Sequence, residues 1–243
     1  MNEPAPALNF QPLYQQAIDL IERKIARGEW PPGTLLPSEP KLAEELGVSV
    51  GTIRKALQHL AAVRLVERRQ GIGTFVAVST PEKSMFRFFR LIDADGARVM
   101  PDCEEVSRKI GVASRDERRI FNGAARDTVC RIVRRRLFDD RVIMIDHVVL
   151  PMTRFAGIAD IAEPLPTTLY DFYESRFGVK VLRVEERLGA ITANGASAKV
   201  LGVAEGEPLL EIDRIAFSFG DEAVERRISR LHTGRLFYLS ELA

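Results

Sequence analysis

The 243-residue sequence has only two cysteines, Cys103 and Cys130, too few for a disulfide framework. Its three histidines, His59, His147 and His232, are isolated, so no Cys/His cluster has the spacing of a metal site. We therefore expect no metal or other cofactor, and interpret each histidine as a core or surface residue. Because no histidine lies near Cys130 in sequence, we interpret this cysteine as a small core residue rather than a nucleophile.

Long apolar runs are also missing. No stretch of about 18 apolar residues occurs, and residues 1–11 lack the basic and apolar regions of a secretory signal. Together with the low cysteine content, this favours a cytoplasmic protein. The composition, 46% hydrophobic and 28% charged, excludes wholesale disorder.

The sequence has no overall charge excess, since 35 basic and 34 acidic residues give a net charge of +1. This excludes global electrostatic attraction to nucleic acid but leaves room for a local basic patch. Residues 41–76 form such a patch, with three acidic residues against six basic ones: Lys41, Arg54, Lys55, Arg64, Arg68 and Arg69.

A polar segment containing Pro81 divides the chain near residue 80. We expect two domains, at 9–78 and 85–243, with a linker at 79–84. In the first of these domains, apolar periodicity and capping residues predict a helix over 13–27, a second from Ser38 to Gly47 and a third from Ser49 to about Ala62. Short strands at 65–68 and 74–77 then flank a glycine-containing hairpin tip. This element order is that of a winged helix-turn-helix domain.

Such a domain places the start of its third helix in the DNA major groove. Gly51 permits close backbone approach to phosphate, and Arg54 can reach a guanine edge or a phosphate. The alternative is that the helix pair is an ordinary core motif and Arg54 a solvated surface charge. The candidate DNA-binding residues are Ser38, Ser49, Gly51, Thr52, Arg54, Lys55, Arg69, Gln70, Gly71 and Gly73.

Residues 12–76 resemble the GntR family of bacterial transcription regulators. The resemblance lies in the motifs Pro12-Leu13-Tyr14-Gln15-Gln16, Trp30-Pro31-Pro32-Gly33, Leu36-Pro37-Ser38-Glu39, Leu46-Gly47-Val48-Ser49, Thr52-Ile53-Arg54-Lys55-Ala56-Leu57 and Arg68-Arg69-Gln70-Gly71-Ile72-Gly73. The family usually carries operator-contacting arginines where this chain has Pro40 and Val50, and of that trio only Arg54 remains. We therefore predict an operator that differs from the common family sequence, or a wing that supplies more of the specificity.

After residue 84, β-branched runs alternate with short helical segments, which predicts an α+β domain with an antiparallel sheet. Helices are predicted after the capping box at Ser114, over 167–177, and after Asn194. A weak internal similarity aligns 129–134 with 209–214, and chance hairpin similarity explains it as well as duplication does. The predicted strands are 86–91, 129–138, 142–150, 182–193, 209–219, 223–231 and 235–239.

This part resembles the UTRA effector-binding domain of the HutC subfamily, which has a chorismate-lyase-like fold. The motifs are Arg134-x-Arg136, Asp139-Asp140, Asp146, Leu150-Pro151, Thr168-Leu169-Tyr170, Glu185-Glu186, Gly206-x-Pro208-Leu209-Leu210, Val224-Glu225 and Phe237-Tyr238. The resemblance implies a homodimer whose hold on a DNA operator changes when a small metabolite binds.

Arg134 and Arg136 lie two apart on a strand, so both point to one face and suit a carboxylate or phosphate. The alternative is a solvated strand face paired with acidic residues. The resemblance implies that these two arginines bind the anionic group of the ligand. The remaining effector-binding candidates are Arg87, Phe89, Asp146, Thr168, Tyr170, Glu225 and Ser229.

Three functions are compatible with the sequence. The favoured one is an effector-responsive transcription factor, by family default a repressor, that binds a pseudo-palindromic operator. An enzyme is the rival, because the resembling fold includes a lyase, but no triad, metal site or phosphate loop is recognisable. A constitutive DNA-binding protein with a purely dimerising second domain is the third.

Overall fold

The computed structural model describes residues 11–78 and 89–240. The chain divides into two compact units, residues 1–78 and 79–243. The predicted linker at 79–84 and the first three residues of the strand predicted at 86–91, with them Arg87, lie outside the described residues.

Three helices form the body of the first unit: α1 (Leu13–Ala26), α2 (Glu39–Leu46) and α3 (Val50–Ala62). The Ser38 hydroxyl caps α2 by accepting from the Lys41 amide at 3.4 Å, and Ser49 caps α3 by accepting from the Thr52 amide at 3.1 Å. Gly47 ends α2 in the left-handed conformation. The apolar stripes of all three helices are buried against one another.

The wing consists of two short antiparallel strands, β1 (Val66–Arg69) and β2 (Gly73–Val76), each within one residue of the predicted position. Gly73, paired with Arg69, has φ +139°, and a Cβ there would lie 2.7 Å from Leu35 Cδ1. The wing therefore needs glycine at this position for its backbone conformation.

The second unit contains a six-stranded antiparallel sheet. Its strands are β4 (Asp102–Val112), β5 (Thr128–Phe138), β6 (Arg141–Pro151), β7 (Arg183–Thr192), β8 (Pro208–Phe217) and β9 (Ala223–Leu231). Their order across the sheet is β4-β5-β6-β9-β8-β7. A separate two-stranded pair joins β3 (Leu91–Ile92) to β10 (Phe237–Tyr238).

The sheet is built from the same strand-helix-strand-strand unit used twice. The first repeat is β4, α4 (Arg115–Ile120), β5 and β6, and the second is β7, α6 (Gly195–Leu201), β8 and β9. Each helix begins with a capping box, at Ser114 and at Asn194, 80 residues apart. Because the strand order is mirrored about β6 and β9, the internal similarity in the sequence corresponds to a repeated structure.

Strand β4 was not expected from the sequence. Val106, Ile110 and Val112 are its large apolar residues, and all three are exposed. Since β4 is an edge strand rich in charged residues, it lacks the apolar periodicity that reveals a half-buried strand.

Helix α5 (Leu169–Phe177) lies in the long connection between the two repeats, and Tyr170 and Tyr173 pack into the main core. Cys130 is fully buried in the same core, as predicted. His59 and His147 are exposed and His232 is half-buried. No helix within residues 11–78 and 89–240 is long and apolar enough to span a bilayer.

Candidate DNA interface and effector cavity

The first turn of α3 presents small polar groups to solvent. Ser49 and Gly51 are exposed, and the Ser49 and Thr52 hydroxyls lie 2.9 Å apart. The free amides of a helix N-terminus favour an anion, so this turn suits a phosphate group. Lys55, one turn further along, places its ammonium 4.0 Å from the ring centroid of Tyr14.

Glu39, the first residue of α2, links the third helix to the wing. Its carboxylate accepts from Arg54 Nε at 2.9 Å and from Arg68 Nη2 at 2.6 Å. The Arg54 side chain nevertheless keeps 58% of its surface exposed. Glu39 therefore orients two guanidiniums without removing them from solvent.

The wing tip is open to solvent at Gln70, Gly71 and Ile72. Arg69 lies beside it, with its guanidinium 4.3 Å from the Phe75 ring centroid. A narrow tip flanked by a cation fits a DNA groove or backbone.

The second unit contains an open cleft of about 320 Å³, a volume that includes the solvent at its mouth. One part of its wall is apolar and consists of Phe89, Leu91, Met144 and Ile212. The other part is polar and consists of Arg90, Asp146, Arg214, Arg227, Ser229 and Tyr238. Apolar side chains and convergent polar groups that meet in one cleft are features of a small-molecule site.

A band of buried polar side chains crosses the sheet and meets this cleft. We call it the polar band, and it contains four guanidiniums against three carboxylates, a net positive charge. All of its members except half-buried Glu186 are buried. The polar band comprises Arg134, Arg136, Asp146, Glu186, Arg214, Glu225, Arg227 and Ser229.

Asp146 is the carboxylate at the centre of the polar band. Its Oδ2 accepts from Arg136 Nε at 2.9 Å, and its Oδ1 accepts from the Ser229 hydroxyl at 2.6 Å. Burial alone would raise the pKa of Asp146, but the guanidiniums of Arg136 and Arg227 and the serine hydroxyl lower this pKa to about 2. Asp146 is therefore an ionised hydrogen-bond acceptor in the wall of the cleft.

Glu225 is held by groups from two elements. Arg227 donates to it through Nε and Nη2 at 3.1 and 2.9 Å, and the hydroxyls of Tyr170 and Tyr173 donate at 3.0 and 2.7 Å. Burial and the nearby Glu225 carboxylate raise the pKa of Tyr170 to about 12, so this hydroxyl stays a donor. These bonds fasten α5 to the sheet.

Arg134 donates to the main chain rather than facing the cleft. Its Nη2 reaches the carbonyls of Pro166 at 2.6 Å and Leu165 at 3.3 Å, and its Nη1 that of Thr167 at 3.5 Å. Arg136 adds a bond from Nη1 to the same Thr167 carbonyl at 3.2 Å. Both arginines are almost completely buried, so the alternative of a solvated strand face is wrong.

The predicted effector residues divide into two groups. Phe89, Asp146 and Ser229 line the cleft. Arg134, Arg136, Tyr170 and Glu225 form the layer behind it, and Thr168 is the N-cap of α5, without a side-chain capping bond.

Sequence reasoning missed Arg214 and Arg227 as candidates. The signal for Arg214 was present, because the internal similarity aligns it with Arg134. Arg227 shares a strand face with Ser229, two residues away.

Comparison with known proteins now identifies both units. Residues 13–76 match the model of the gntR family of bacterial regulatory proteins, and residues 97–236 match the UTRA domain. This chain belongs to the GntR family and carries a UTRA domain.

Curated relatives align with this GntR-family chain over most of its length. The transcriptional repressor NagR of Bacillus subtilis is 26% identical over 215 residues, covering 88% of each chain. The histidine utilization repressor of Pseudomonas putida is 29% identical over 241 residues, covering 92% of this chain and 88% of that protein.

Solved structures agree with the fold. The ligand-binding domain of a GntR-family regulator from Bordetella bronchiseptica is 30% identical, with a TM-score of 0.58, and covers 65% of this chain and 98% of that chain. PhnF from Mycobacterium smegmatis is 21% identical, with a TM-score of 0.57, and the match covers 93% of this chain and 99% of that chain. The GntR-family chain is thus a DNA-binding transcription regulator with an effector-binding domain, and not an enzyme.

Proposed function

We propose that this protein is a homodimeric, cytoplasmic repressor that binds a pseudo-palindromic DNA operator and responds to a small anionic metabolite. The observation that carries the proposal is the combination, in one chain, of an exposed recognition-helix N-terminus and a cleft bordered by excess positive charge. The curated relatives described above are named as repressors, which supports repression rather than activation.

The DNA contacts are assigned to α3 and the wing. To reach a guanine edge, Arg54 would break its bond to Glu39 or keep it while also contacting the base. The Ser49 and Thr52 hydroxyls and the amides of the first turn would contact phosphate. The glycine tip and Arg69 would follow the neighbouring backbone. A dimer would place two such heads on half-sites about one helical turn apart, roughly 34–36 Å.

Pro40 and Val50 narrow the set of base contacts. Neither side chain can donate a hydrogen bond to a base. Of the three positions at which the family usually carries operator-contacting arginines, only Arg54 can therefore donate to a base here. We therefore expect an operator with fewer fixed guanines per half-site than the common family sequence.

The effector would act through the second unit. A ligand can shift the operator affinity only by binding more tightly to one of the two arrangements of the dimer. The net positive charge of the polar band supports an anionic ligand, since an anion would neutralise it.

The DNA assignment is tested by selecting an operator from randomised duplexes and comparing Arg54→Ala with wild type in gel-shift titrations. Loss of a bidentate guanine contact costs about 1–3 kcal/mol at each half-site, so we expect affinity to fall at least tenfold. Arg119→Ala is the matched control, because Arg119 is 82% exposed in the second unit. Full operator affinity in folded Arg54→Ala protein would contradict the assignment.

A further inference from the structure

Glu39 places a carboxylate in the middle of the surface that is assigned to DNA. One of its oxygens accepts from Arg54 on α3 and the other accepts from Arg68 on β1, at 2.9 and 2.6 Å. All three side chains keep contact with solvent, with exposed fractions of 24% for Glu39, 58% for Arg54 and 38% for Arg68. A carboxylate repels phosphate, so on its own it weakens binding to any DNA.

The first turn of α2 fixes the position of this carboxylate. Glu39 lies between Ser38, whose hydroxyl accepts from the Lys41 amide, and Pro40, whose ring restricts the backbone. The N-terminus of a helix also stabilises a negative charge. The backbone of Glu39 is therefore held independently of the two arginines, and the carboxylate positions them.

The atoms used in these bonds leave one edge of Arg54 available. Glu39 accepts from Nε, and neither Nη1 nor Nη2 of Arg54 has a hydrogen bond within residues 11–78 and 89–240. Nη1 and Nη2 form one edge of the planar guanidinium and can donate together to O6 and N7 of a guanine. An Arg54 released from Glu39 is free to turn to a phosphate, a contact that carries no sequence information.

The second bond brings a cation of the wing to the same carboxylate. Arg68 lies opposite Thr74 in the wing, one residue before the pair of Arg69 and Gly73 next to the tip. Because Glu39 holds both guanidiniums, the three groups carry a net charge of +1 on a surface that joins α3 to the wing. Arg68 is exposed and suits a backbone phosphate beside the base that Arg54 contacts.

We infer that Glu39 is a specificity-determining residue: it keeps its bond to Arg54 in the operator complex, directs Nη1 and Nη2 to a guanine, and holds Arg68 beside a neighbouring phosphate. The inference rests on the proposed DNA-binding function and adds two residues to it, Glu39 as a positioning residue and Arg68 as a DNA contact. The carboxylate is also the repulsive element. It faces phosphate in any complex in which Arg54 leaves the guanine, so it weakens non-specific binding more than operator binding.

The test compares full-length Glu39→Gln with wild type in gel-shift titrations. The two duplexes are the selected operator and a scrambled sequence of the same length. We expect the ratio of operator affinity to scrambled affinity to fall at least tenfold, chiefly because the scrambled duplex binds more tightly. On that duplex, the slope of log K against log salt should become steeper by about 0.9 for each guanidinium that gains a phosphate.

Three further variants separate charge from position. Glu44→Gln removes the same charge from an exposed site on α2 and should leave the affinity ratio within threefold of wild type. Glu39→Asp keeps the charge but shortens the side chain, so operator binding should weaken while scrambled binding stays weak. Arg68→Gln should weaken both duplexes by a similar factor. The melting temperature of each variant is measured alongside, and Glu39→Asp carries the test if Glu39→Gln does not fold.

Arg54→Gln and the double variant with Glu39→Gln distinguish this inference from the proposed function. Operators with each base pair substituted in turn give the base preference of every protein. If Glu39 acts through Arg54, adding Glu39→Gln to Arg54→Gln should relax that preference no further. An affinity ratio for Glu39→Gln equal to that of Glu44→Gln would overturn the inference alone. Full operator preference in Arg54→Gln would overturn the proposed DNA contacts as well.

Discussion

Asp146 shows how a buried carboxylate can depend on its neighbours for its charge. It is 1% exposed, and its ionised state is stabilised by Arg136, Arg227 and Ser229. Removing one partner of such a pair is costly, because the other charge remains buried without compensation.

We expect Asp146→Asn to lower the free energy of unfolding by about 3–5 kcal/mol at pH 7. The folded-state pKa of about 2 lies below the ordinary 3.8, so the carboxylate stabilises the fold above pH 4 and this contribution disappears as pH falls toward 2. The shift corresponds to roughly 2 kcal/mol. Urea titrations between pH 3 and 7 should show the wild-type advantage narrowing with acid.

The exposed Asp102→Asn serves as the control for that series. Its free energy of unfolding should stay within about 0.5 kcal/mol of the wild-type value at every pH, as is usual for surface substitutions. A gap between Asp146→Asn and wild type that stays constant from pH 7 to pH 3 would show that the asparagine disturbs packing and that the charge contributes nothing.

At the scale of single elements, the repeated helices α4 and α6 depend on their capping boxes. Ser114 accepts from the Glu117 amide at 3.2 Å, and Asn194 accepts from the Ser197 amide at 2.9 Å. We expect Ser114→Ala and Asn194→Ala each to cost about 0.5–2 kcal/mol, measured by urea unfolding.

The control for the caps is Ser175→Ala, because Ser175 is exposed within α5 and its hydroxyl donates to the Phe172 carbonyl. Alanine is the better helix former, so this change should cost nothing. If the cap variants were as stable as Ser175→Ala, the capping bonds would not stabilise either repeat.

These elements also show what the sequence could predict. Helices with caps and stripes, such as α2 and α3, were predicted nearly to the residue, because local bonds at Ser38 and Ser49 define their starts. Strand β4 was not, because an edge strand is specified by pairing with β5 and not by its own apolar pattern.

The cleft was predictable only in part, for a related reason. Alternation along β5 placed Arg134 and Arg136 on one face, but it could not show that the segment 165–167 covers that part of the sheet. The segment lies about 30 residues further along the chain than these arginines, and no local pattern in the sequence encodes the contact.

At the scale of the whole molecule, the salt dependence of operator binding reports how many copies of each contact are made. The logarithm of the binding constant falls with the logarithm of salt concentration with a slope of about −0.9 per neutralised phosphate. A dimer on two half-sites makes each contact twice, so removing one phosphate-binding lysine should change the slope by about 1.8.

Lys55→Gln is the variant for this measurement, since Lys55 is exposed on α3 and glutamine keeps much of its length. Gel-shift titrations from 50 to 200 mM salt on the selected operator should give a slope about 1.8 shallower than wild type. Lys199→Gln, an exposed lysine in the last turn of α6, should leave the slope unchanged. A change near 0.9 would mean that one DNA-binding head engages the operator at a time, and no change would remove Lys55 from the interface.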